Sequence, residues 1–308
     1  AGDISITANN VFVDNAFLNS SVGRTRNGTV KSETIGNGGD INIITGSLMV
    51  KNGAQLFANT FGQSAQSNQS NAGNVTITAT KPVSFENSRV FTSVETGATG
   101  NGGNIQITAP SLSLTNGAIL SASTLSANTD GKGKAGNINI QDADLVSLSG
   151  NSSISTSSLS TQGGDITLDG LDILQVTNSL ISASTINGTV GSLRVNAGES
   201  VQLKGEGGLA VEATGSGSAG SLTVSVPQLS LQDGASISAS TISGQGGDIN
   251  LENLNTLEVN NSRISASTES GQAGNLTVNA RESVRLWDSA ATSYPFPYSL
   301  IHCHRHYF

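Results

Sequence analysis

The stretch GGDITLDGLDILQVTNSLISAST, which runs from Gly163 to Thr185, is one copy of a repeat that recurs along the chain. After a pair of glycines, Ile166 and Leu168 alternate with polar residues, and the stretch ends on the phrase ISAST. The same phrase returns at Ile264–Thr268 and, within SISAST, at Ser236–Thr241. A unit that recurs about every 20–50 residues is typical of solenoid proteins, so this stretch indicates the fold.

Each copy is anchored by a glycine that is followed by Asp, Asn or Ser, an aliphatic residue, a polar residue and a second aliphatic residue. The glycines at this anchor position are Gly2, Gly39, Gly73, Gly103, Gly136, Gly164, Gly191, Gly220, Gly247 and Gly274. We predict that they are structural anchors. Aliphatic and polar residues alternate after every anchor, as in Ile41-Asn42-Ile43. A period of two predicts a β-strand with one buried face and one solvated face.

A second alternating pair and a turn follow in the copies. Leu112 and Leu114 form such a pair, and Asn116-Gly117 is the turn dipeptide that comes next. Asn, Asp and Gly tolerate the left-handed backbone that a sharp turn requires. The same turn is expected at Asn52-Gly53, Asp233-Gly234 and Asn260-Asn261.

The ISAST phrase then forms a third strand, whose inward residues are predicted to be Ile181 and Ala183, or Ile264 and Ala266 in a later copy. In six copies this strand begins at the same distance from its anchor, so differences in repeat length must lie after it. Insertions such as TFGQSAQSNQSN and TLSANTDGKGK are therefore predicted to be polar surface loops at one corner of the unit.

Three short strands and three turns describe one rung of a parallel β-helix, in which each strand pairs with its equivalent in the next rung. We predict an all-β fold, a single-stranded, right-handed parallel β-helix of about ten rungs with three short strands per rung. The right hand follows from the chirality that twists strands. The β-helix is expected to occupy residues 1–286. An antiparallel sandwich would fit the strand count but gives no reason for the repeat.

The composition favours a thin core that extends along one axis. Hydrophobic residues make up 35% of the chain, against roughly 45–50% in a count for average globular domains that also includes glycine. Disorder is the competing interpretation of a polar, glycine-rich chain, but disordered chains lack regularly spaced Ile, Leu and Val. Because residue 1 already lies inside a repeat, we expect the chain to be an internal piece whose export signal lies upstream.

Charge and cysteine content exclude several classes of protein. The net charge is −8 and the basic residues are scattered singly, which argues against a nucleic-acid partner. No segment approaches the roughly 18 apolar residues that a transmembrane helix needs, so we predict no transmembrane segment. The single Cys excludes a disulfide framework.

The densest acidic group consists of Asp165, Asp169 and Asp172, which fall on or beside one rung. Some β-helix enzymes that cleave polysaccharides place clustered carboxylates on one exposed face for acid–base chemistry. No Arg, Lys or His lies near these residues along the chain. We therefore prefer to interpret them as solvated turn residues and predict no catalytic residue.

Calcium binding is a second hypothesis, because acidic β-rolls bind calcium through a nonapeptide repeat. The residues after the anchors are Asp3, Asp40, Asn74, Asn104, Asn137, Asp165, Ser192, Ser221, Asp248 and Asn275. An acidic residue thus recurs far less often than in that repeat, and an Asx-type turn is the alternative. Only the first two of these rungs would place Asp on Asp, which limits like-charge repulsion.

The tail at 287–308 differs from the repeats and is treated as a separate, atypical segment. Its HCHRH motif suggests a metal site with His302, Cys303, His304 and His306 as ligands. We prefer to interpret the tail as a truncated or frame-shifted segment, or as an aromatic plug on the end of the rod. No metal or other cofactor is therefore predicted.

The units GGDITLDGLDILQVTNSLISAST and AGNLTVNARESVRL resemble the repeat region of filamentous-haemagglutinin-like exoproteins of two-partner secretion, in particular the large versions found in cyanobacteria. The resemblance spans Ala1 to about Leu286. It implies export through an outer-membrane transporter of a Gram-negative bacterium, followed by release or display at the cell surface. The N-terminal secretion domain of that family is missing from this stretch.

These observations predict a non-enzymatic structural rod of a secreted or surface-displayed, adhesin-like exoprotein. Adhesion is implied by the resemblance and not by particular residues. The alternative is a β-helix that binds or cleaves extracellular polysaccharide, which an exposed aromatic row or a basic and acidic cluster would favour.

Overall fold

The strands of this chain stack side by side in long parallel sheets. The computed structural model describes residues 1–23, 36–61, 70–95, 98, 100–125, 133–159 and 162–295, which contain 24 strands and no helix. The strands of the first half are Ile4–Asp14 (β1), Phe17–Asn19 (β2), Ile41–Lys51 (β3), Gln55–Phe57 (β4), Val75–Ala79 (β5), Val83–Glu86 (β6), Arg89–Phe91 (β7), Ile105–Thr108 (β8), Ser111–Thr115 (β9), Ile119–Ser121 (β10), Ile138–Gln141 (β11) and Leu145–Ser149 (β12). Those of the second half are Ser153–Ser158 (β13), Ile166–Thr177 (β14), Leu180–Thr185 (β15), Leu193–Lys204 (β16), Gly207–Ala213 (β17), Leu222–Ser225 (β18), Gln228–Gln232 (β19), Ala235–Thr241 (β20), Ile249–Asn260 (β21), Arg263–Thr268 (β22), Leu276–Trp287 (β23) and Ala290–Pro295 (β24).

The strands form a 14-stranded sheet and a 10-stranded sheet. The 10-stranded sheet takes the third strand of each repeat in chain order, from β2 to β24, and the other sheet takes the remaining strands. All strand pairs are parallel. The predicted all-β parallel solenoid is therefore confirmed.

Equivalent residues of successive repeats lie side by side and share one core. Ile166 pairs with Ile138 on one side and with Leu193 on the other. Ile166 is fully buried, as are Ile181 and Ala183 of the third strand. The alternation of buried and exposed residues is thus confirmed, and the inward aliphatic residues join in one continuous cluster.

The predicted turn residues adopt the left-handed backbone conformation. The φ angle is 56° at Asn52, 55° at Asn116, 58° at Asp233 and 46° at Asn261. All non-glycine residues with positive φ in the described part of the chain are Asn or Asp, the types that reach this region at least cost. The turn therefore recurs because most repeats have their own Asn or Asp at the position that requires a left-handed backbone.

The prediction of three separate strands per rung is correct for only some of the repeats. The first two segments merge into a single strand in β1, β3, β14, β16, β21 and β23. In β14 the pairing with β16 shifts register between Leu168 and Ile173, and Gly170 there has a φ of 66°. A bulge of this kind bends a strand without ending its ladder, so the corner needs no break in the strand.

The paired region extends beyond the predicted end of the β-helix at residue 286. Strand β23 continues to Trp287, and β24 pairs in register with β22, with Ala290 opposite Arg263 and Ala291 opposite Ile264. The loss of the repeat motif near Trp287 therefore does not coincide with the end of the sheet. A small inward residue such as Ala291 still fills the narrow corner, and it is buried.

The described part of the chain contains no helix with the length and hydrophobicity of a membrane span.

The inward position of Ile166 is expected to tolerate a charged side chain far less well than the outward position of Thr167. Ile166→Asp would bury a charge between Ile138 and Leu193, and we expect it to lower the free energy of unfolding by about 3 kcal/mol or more. Thr167, which faces outward and is only half-buried, should accept Asp within about 1 kcal/mol. Urea unfolding followed by far-UV circular dichroism measures both. Equal losses would contradict the assignment of faces.

Candidate functional site in the glycine anchors and polar ladders

The anchor glycines are required because neighbouring rungs approach too closely for a side chain. A Cβ atom placed on Gly164 would overlap the carbonyl oxygen of Gly136, and one on Gly136 would overlap that of Gly103. The same overlap with the preceding anchor occurs at Gly39, Gly73, Gly103, Gly191, Gly220, Gly247 and Gly274. The anchors thus form a continuous stack of glycines along the solenoid.

Hydrogen bonds close the corner at which the insertions leave the rung. The Gly39 N–H donates to the Ser20 carbonyl oxygen at 2.8 Å, and Ser20 Oγ donates back to the Gly39 carbonyl oxygen at 2.7 Å. Thr92 and Gly103 form the same reciprocal pair, at 2.8 and 2.6 Å. Because this clamp joins the end of the third strand to the next anchor, the segment between them can vary in length without changing the rung. Most of the two quoted insertions, 62–69 and 126–132, lies outside the described residues.

The residue after most of the anchors connects adjacent rungs through its side chain. The N–H of Asn104 donates to Asn74 Oδ1 at 2.9 Å, that of Asn137 to Asn104 Oδ1 at 2.9 Å, and that of Asp165 to Asn137 Oδ1 at 2.8 Å. The same bond, at 2.7 or 2.8 Å, joins Asp40 to Asp3, Asn74 to Asp40, Ser192 to Asp165 and Asn275 to Asp248. We call this series the anchor ladder.

The anchor ladder differs from the local Asx-type turn that the sequence suggested. An Asx turn is closed by a backbone group two residues further along the chain, whereas Asp165 accepts the N–H of Ser192 on the next rung. The sequence signal for the ladder is the recurrence of Asp, Asn or Ser directly after the anchor. Its partner could be found only once the rungs were aligned.

A second ladder lies two residues before the anchor and was not singled out from the sequence. The N–H groups of Asn71, Asn101 and Lys134 donate to the side-chain oxygens of Asn37, Asn71 and Asn101, at 3.0, 2.8 and 2.9 Å. Each amide oxygen therefore satisfies a backbone N–H at the edge of an insertion. These asparagines therefore fix the backbone at the point where each insertion ends and the next anchor follows.

The acidic group of one rung is divided among different contacts. Asp165 belongs to the anchor ladder, Asp169 Oδ1 accepts a hydrogen bond from Asn196 Nδ2 at 2.8 Å, and Asp172 is exposed. Within the described ranges no three His, Cys, Asp or Glu side chains are grouped so that they could hold a metal ion. The four tail residues His302, Cys303, His304 and His306 lie outside the described residues.

Opposite charges meet between neighbouring rungs at the outer surface. Lys51 Nζ lies 3.4 Å from Asp14 Oδ2, and Arg285 lies 3.2 Å from Glu258. A hydrogen bond from Asn52 and the positive charge of Lys51 lower the pKa of Asp14 below its usual value. All these side chains are at least one-third exposed, so such pairs contribute little to stability.

Three phenylalanines form a row on the outward face of the 10-stranded sheet. The ring centroids of Phe17 and Phe57 are 6.5 Å apart, and those of Phe57 and Phe91 are 5.6 Å apart with nearly parallel planes. Phe17 is 65% exposed. Because the rings stack on one another, Phe57 has neighbours on both faces and offers no open platform for a sugar ring. The row is a stabilising contact between rungs.

Comparison with protein-family models, curated proteins and solved structures finds no match for this chain.

The glycine stack makes a specific prediction for Ala substitutions. Gly164→Ala should destabilise the chain by about 3 kcal/mol, because the added methyl group overlaps a backbone oxygen that cannot move aside. Gly2 holds the same anchor position, but a methyl group added there would have no atom within 4 Å, so Gly2→Ala is the matched control and should change stability by less than about 0.5 kcal/mol. Neither glycine has a positive φ. Denaturant midpoints measure both, and a tolerated Gly164→Ala would contradict the role of the stack.

The anchor ladder predicts that the acceptor, and not the charge, matters at its positions. Asp165→Ala leaves the Ser192 N–H without its 2.7 Å partner and should cost about 1 kcal/mol. Asp165→Asn keeps an oxygen at this position and should retain the stability of the parent chain within about 0.5 kcal/mol. Thermal unfolding of the three proteins at neutral pH tests this; equal losses would mean that the negative charge is the stabilising feature.

Proposed function

We propose that this chain is a non-enzymatic structural rod of a secreted or surface-displayed, adhesin-like exoprotein that is exported by two-partner secretion. The observation that carries the proposal is the anchor ladder with its glycine stack. Asp and Asn side chains, which could otherwise carry chemistry, are used there to connect one rung to the next. A surface that repeats the same contacts on successive rungs suits an elongated scaffold better than an active site, in which different side chains must converge on one substrate.

The route of export is supported by the resemblance of the repeat units to filamentous-haemagglutinin-like exoproteins. In this proposal an outer-membrane transporter of a Gram-negative bacterium moves the unfolded chain outward, and the rungs stack outside the cell. A solenoid suits this route because each rung needs only the preceding rung as its template. Folding can therefore follow emergence from a pore, rung by rung.

We also propose that the solenoid has about ten turns and winds to the right. The ten strands from β2 to β24 support this number, and at about 4.8 Å per rung they correspond to a rod of about 45–50 Å. The strong preference of parallel crossovers for the right hand supports the handedness.

Binding or cleavage of extracellular polysaccharide is the second candidate function. The observation that favours it is a groove on the outward face of the 10-stranded sheet, lined by Glu212, Arg263 and Glu269 together with several hydroxyl groups and apolar side-chain atoms. Binding is better supported than cleavage, because the acidic group at Asp165 and Asp169 is engaged in contacts between rungs.

Surface display can be tested with an antibody raised against the purified chain. We expect the antibody to label intact cells of the source organism, and we expect labelling to be lost when the gene for the outer-membrane transporter of the exoprotein is deleted. A cytoplasmic protein serves as the control for cell integrity. Labelling that appears only after lysis would refute display, and labelling that survives deletion of the transporter would refute the route.

A further inference from the structure

The groove lies on the outward face of the last four strands of the 10-stranded sheet. Its lining residues come from β17, β20, β22 and β24 and from the positions directly after the first three of these strands. They border a half-open space of about 620 Å³, a volume within the range of small-ligand sites. These strands are consecutive in the sheet. At about 4.8 Å between strands the groove therefore extends for about 14 Å along the solenoid axis.

Hydroxyl groups from β20, β22 and β24 contribute polar atoms to the groove surface. Ser265 Oγ donates to Ser267 Oγ at 3.2 Å, and Thr292 Oγ1 donates to Ser265 Oγ at 3.3 Å. All three side chains are partly exposed. Since a hydroxyl can donate one hydrogen bond and accept two, each retains capacity for a ligand.

Charged side chains complete the lining. Arg263 begins β22 and Glu269 directly follows it, so they lie at opposite ends of that strand, and Glu212 lies on β17. Arg263 is exposed, and it takes part in none of the ion pairs formed by the described residues. Its guanidinium N–H groups are donors, while the two carboxylates are acceptors.

Ile242 is the largest apolar side chain that lines the groove. It is 43% exposed and lines the groove beside Thr214 and Glu269. A surface that combines donors, acceptors and aliphatic side chains suits a ligand that has hydroxyl groups on its edges and C–H groups on its faces.

The balance of charge selects against an anionic ligand. Two carboxylates and one guanidinium line the groove, and the whole chain carries a net charge of −8. A polyanion would be repelled both locally and at a distance.

We propose that this groove binds a neutral polysaccharide chain that lies along the solenoid axis. The hydroxyl groups of the polysaccharide would form hydrogen bonds with Ser265, Ser267, Glu212 and Glu269. The Arg263 guanidinium would donate hydrogen bonds to the ring and hydroxyl oxygens. The groove would give the proposed surface rod a binding site for polysaccharide, so the biological role of the site rests on display outside the cell. Binding of the polysaccharide by the purified chain does not depend on that display.

Matched substitutions can separate the groove from the rest of the sheet. Ser267→Phe would fill the groove, whereas Ser184→Phe places the same ring at the equivalent outward position on β15, which does not line it. Strand register connects Ser184 to Ser267 through Glu212 and Ser240. Phe57 shows that an outward position of this sheet accepts a phenylalanine. Arg263→Ala removes the guanidinium donors from the lining without filling the groove.

Isothermal titration of the purified full chain with millimolar cellohexaose tests the proposal, with hexagalacturonate as the anionic comparison. We expect cellohexaose to bind, and we expect Ser267→Phe and Arg263→Ala each to weaken binding by about tenfold or more, while Ser184→Phe leaves it unchanged. Far-UV circular dichroism of each variant shows whether its fold is retained.

Absence of cellohexaose binding, equal weakening by Ser267→Phe and Ser184→Phe, or tighter binding of hexagalacturonate would each overturn the proposal. The titration uses purified protein, so such a result would leave the proposed rod and its route of export standing. Conversely, a failed surface-labelling experiment would not alter the binding measured here.

Discussion

The close approach of backbone to backbone at the anchor glycines is the constraint on which the rest of the solenoid depends. At Gly136 and Gly164 the α-carbon of one rung lies against the carbonyl oxygen of the preceding rung, with no space for a side chain. Because the anchors lie in register, the residues of the first strand segment after an anchor, such as Ile166 to Leu168, face their equivalents on the next rung. The stack of inward aliphatic residues and the alignment of polar residues both follow from this register.

Register turns polar side chains into connections between rungs. Asn74, Asn104 and Asn137 each offer an oxygen to the N–H of the equivalent residue one rung away. Such bonds satisfy backbone groups at a corner where the strand ladder has not yet begun. Side chains that look reactive in a linear sequence, including Asp165, are thereby committed to holding the rod together. This is the physical reason why the proposed role is structural.

The two halves of the outward face of the 10-stranded sheet differ in character. Near its start Phe57 and Phe91 stack on each other and stabilise neighbouring rungs. Near its end Ser267 and Thr292 line a groove together with charged side chains. The strands β4 and β7 have three residues each, whereas β20 and β22 have seven and six. Besides this difference in strand length, the two regions differ in their outward residues, which the core does not constrain. Recognition in such a fold is therefore decided by residues that can change without cost to the solenoid.

The sequence by itself determined the features that depend on neighbours along the chain. Alternation at Ile166 and Leu168, the left-handed turn at Asn116 and the inward third strand at Ile181 were all predictable, because periodicity and turn chemistry act within a few residues. Only the tertiary structure decided the anchor ladder, the merging of strands at the bulge near Gly170, the continued pairing of β24 and the groove beside Ser267. Each of these depends on a contact between rungs, where the partner lies a full repeat away and the register must be known. The identity of a residue sets its conformational preference, but its partner is set by the stacking of the rungs.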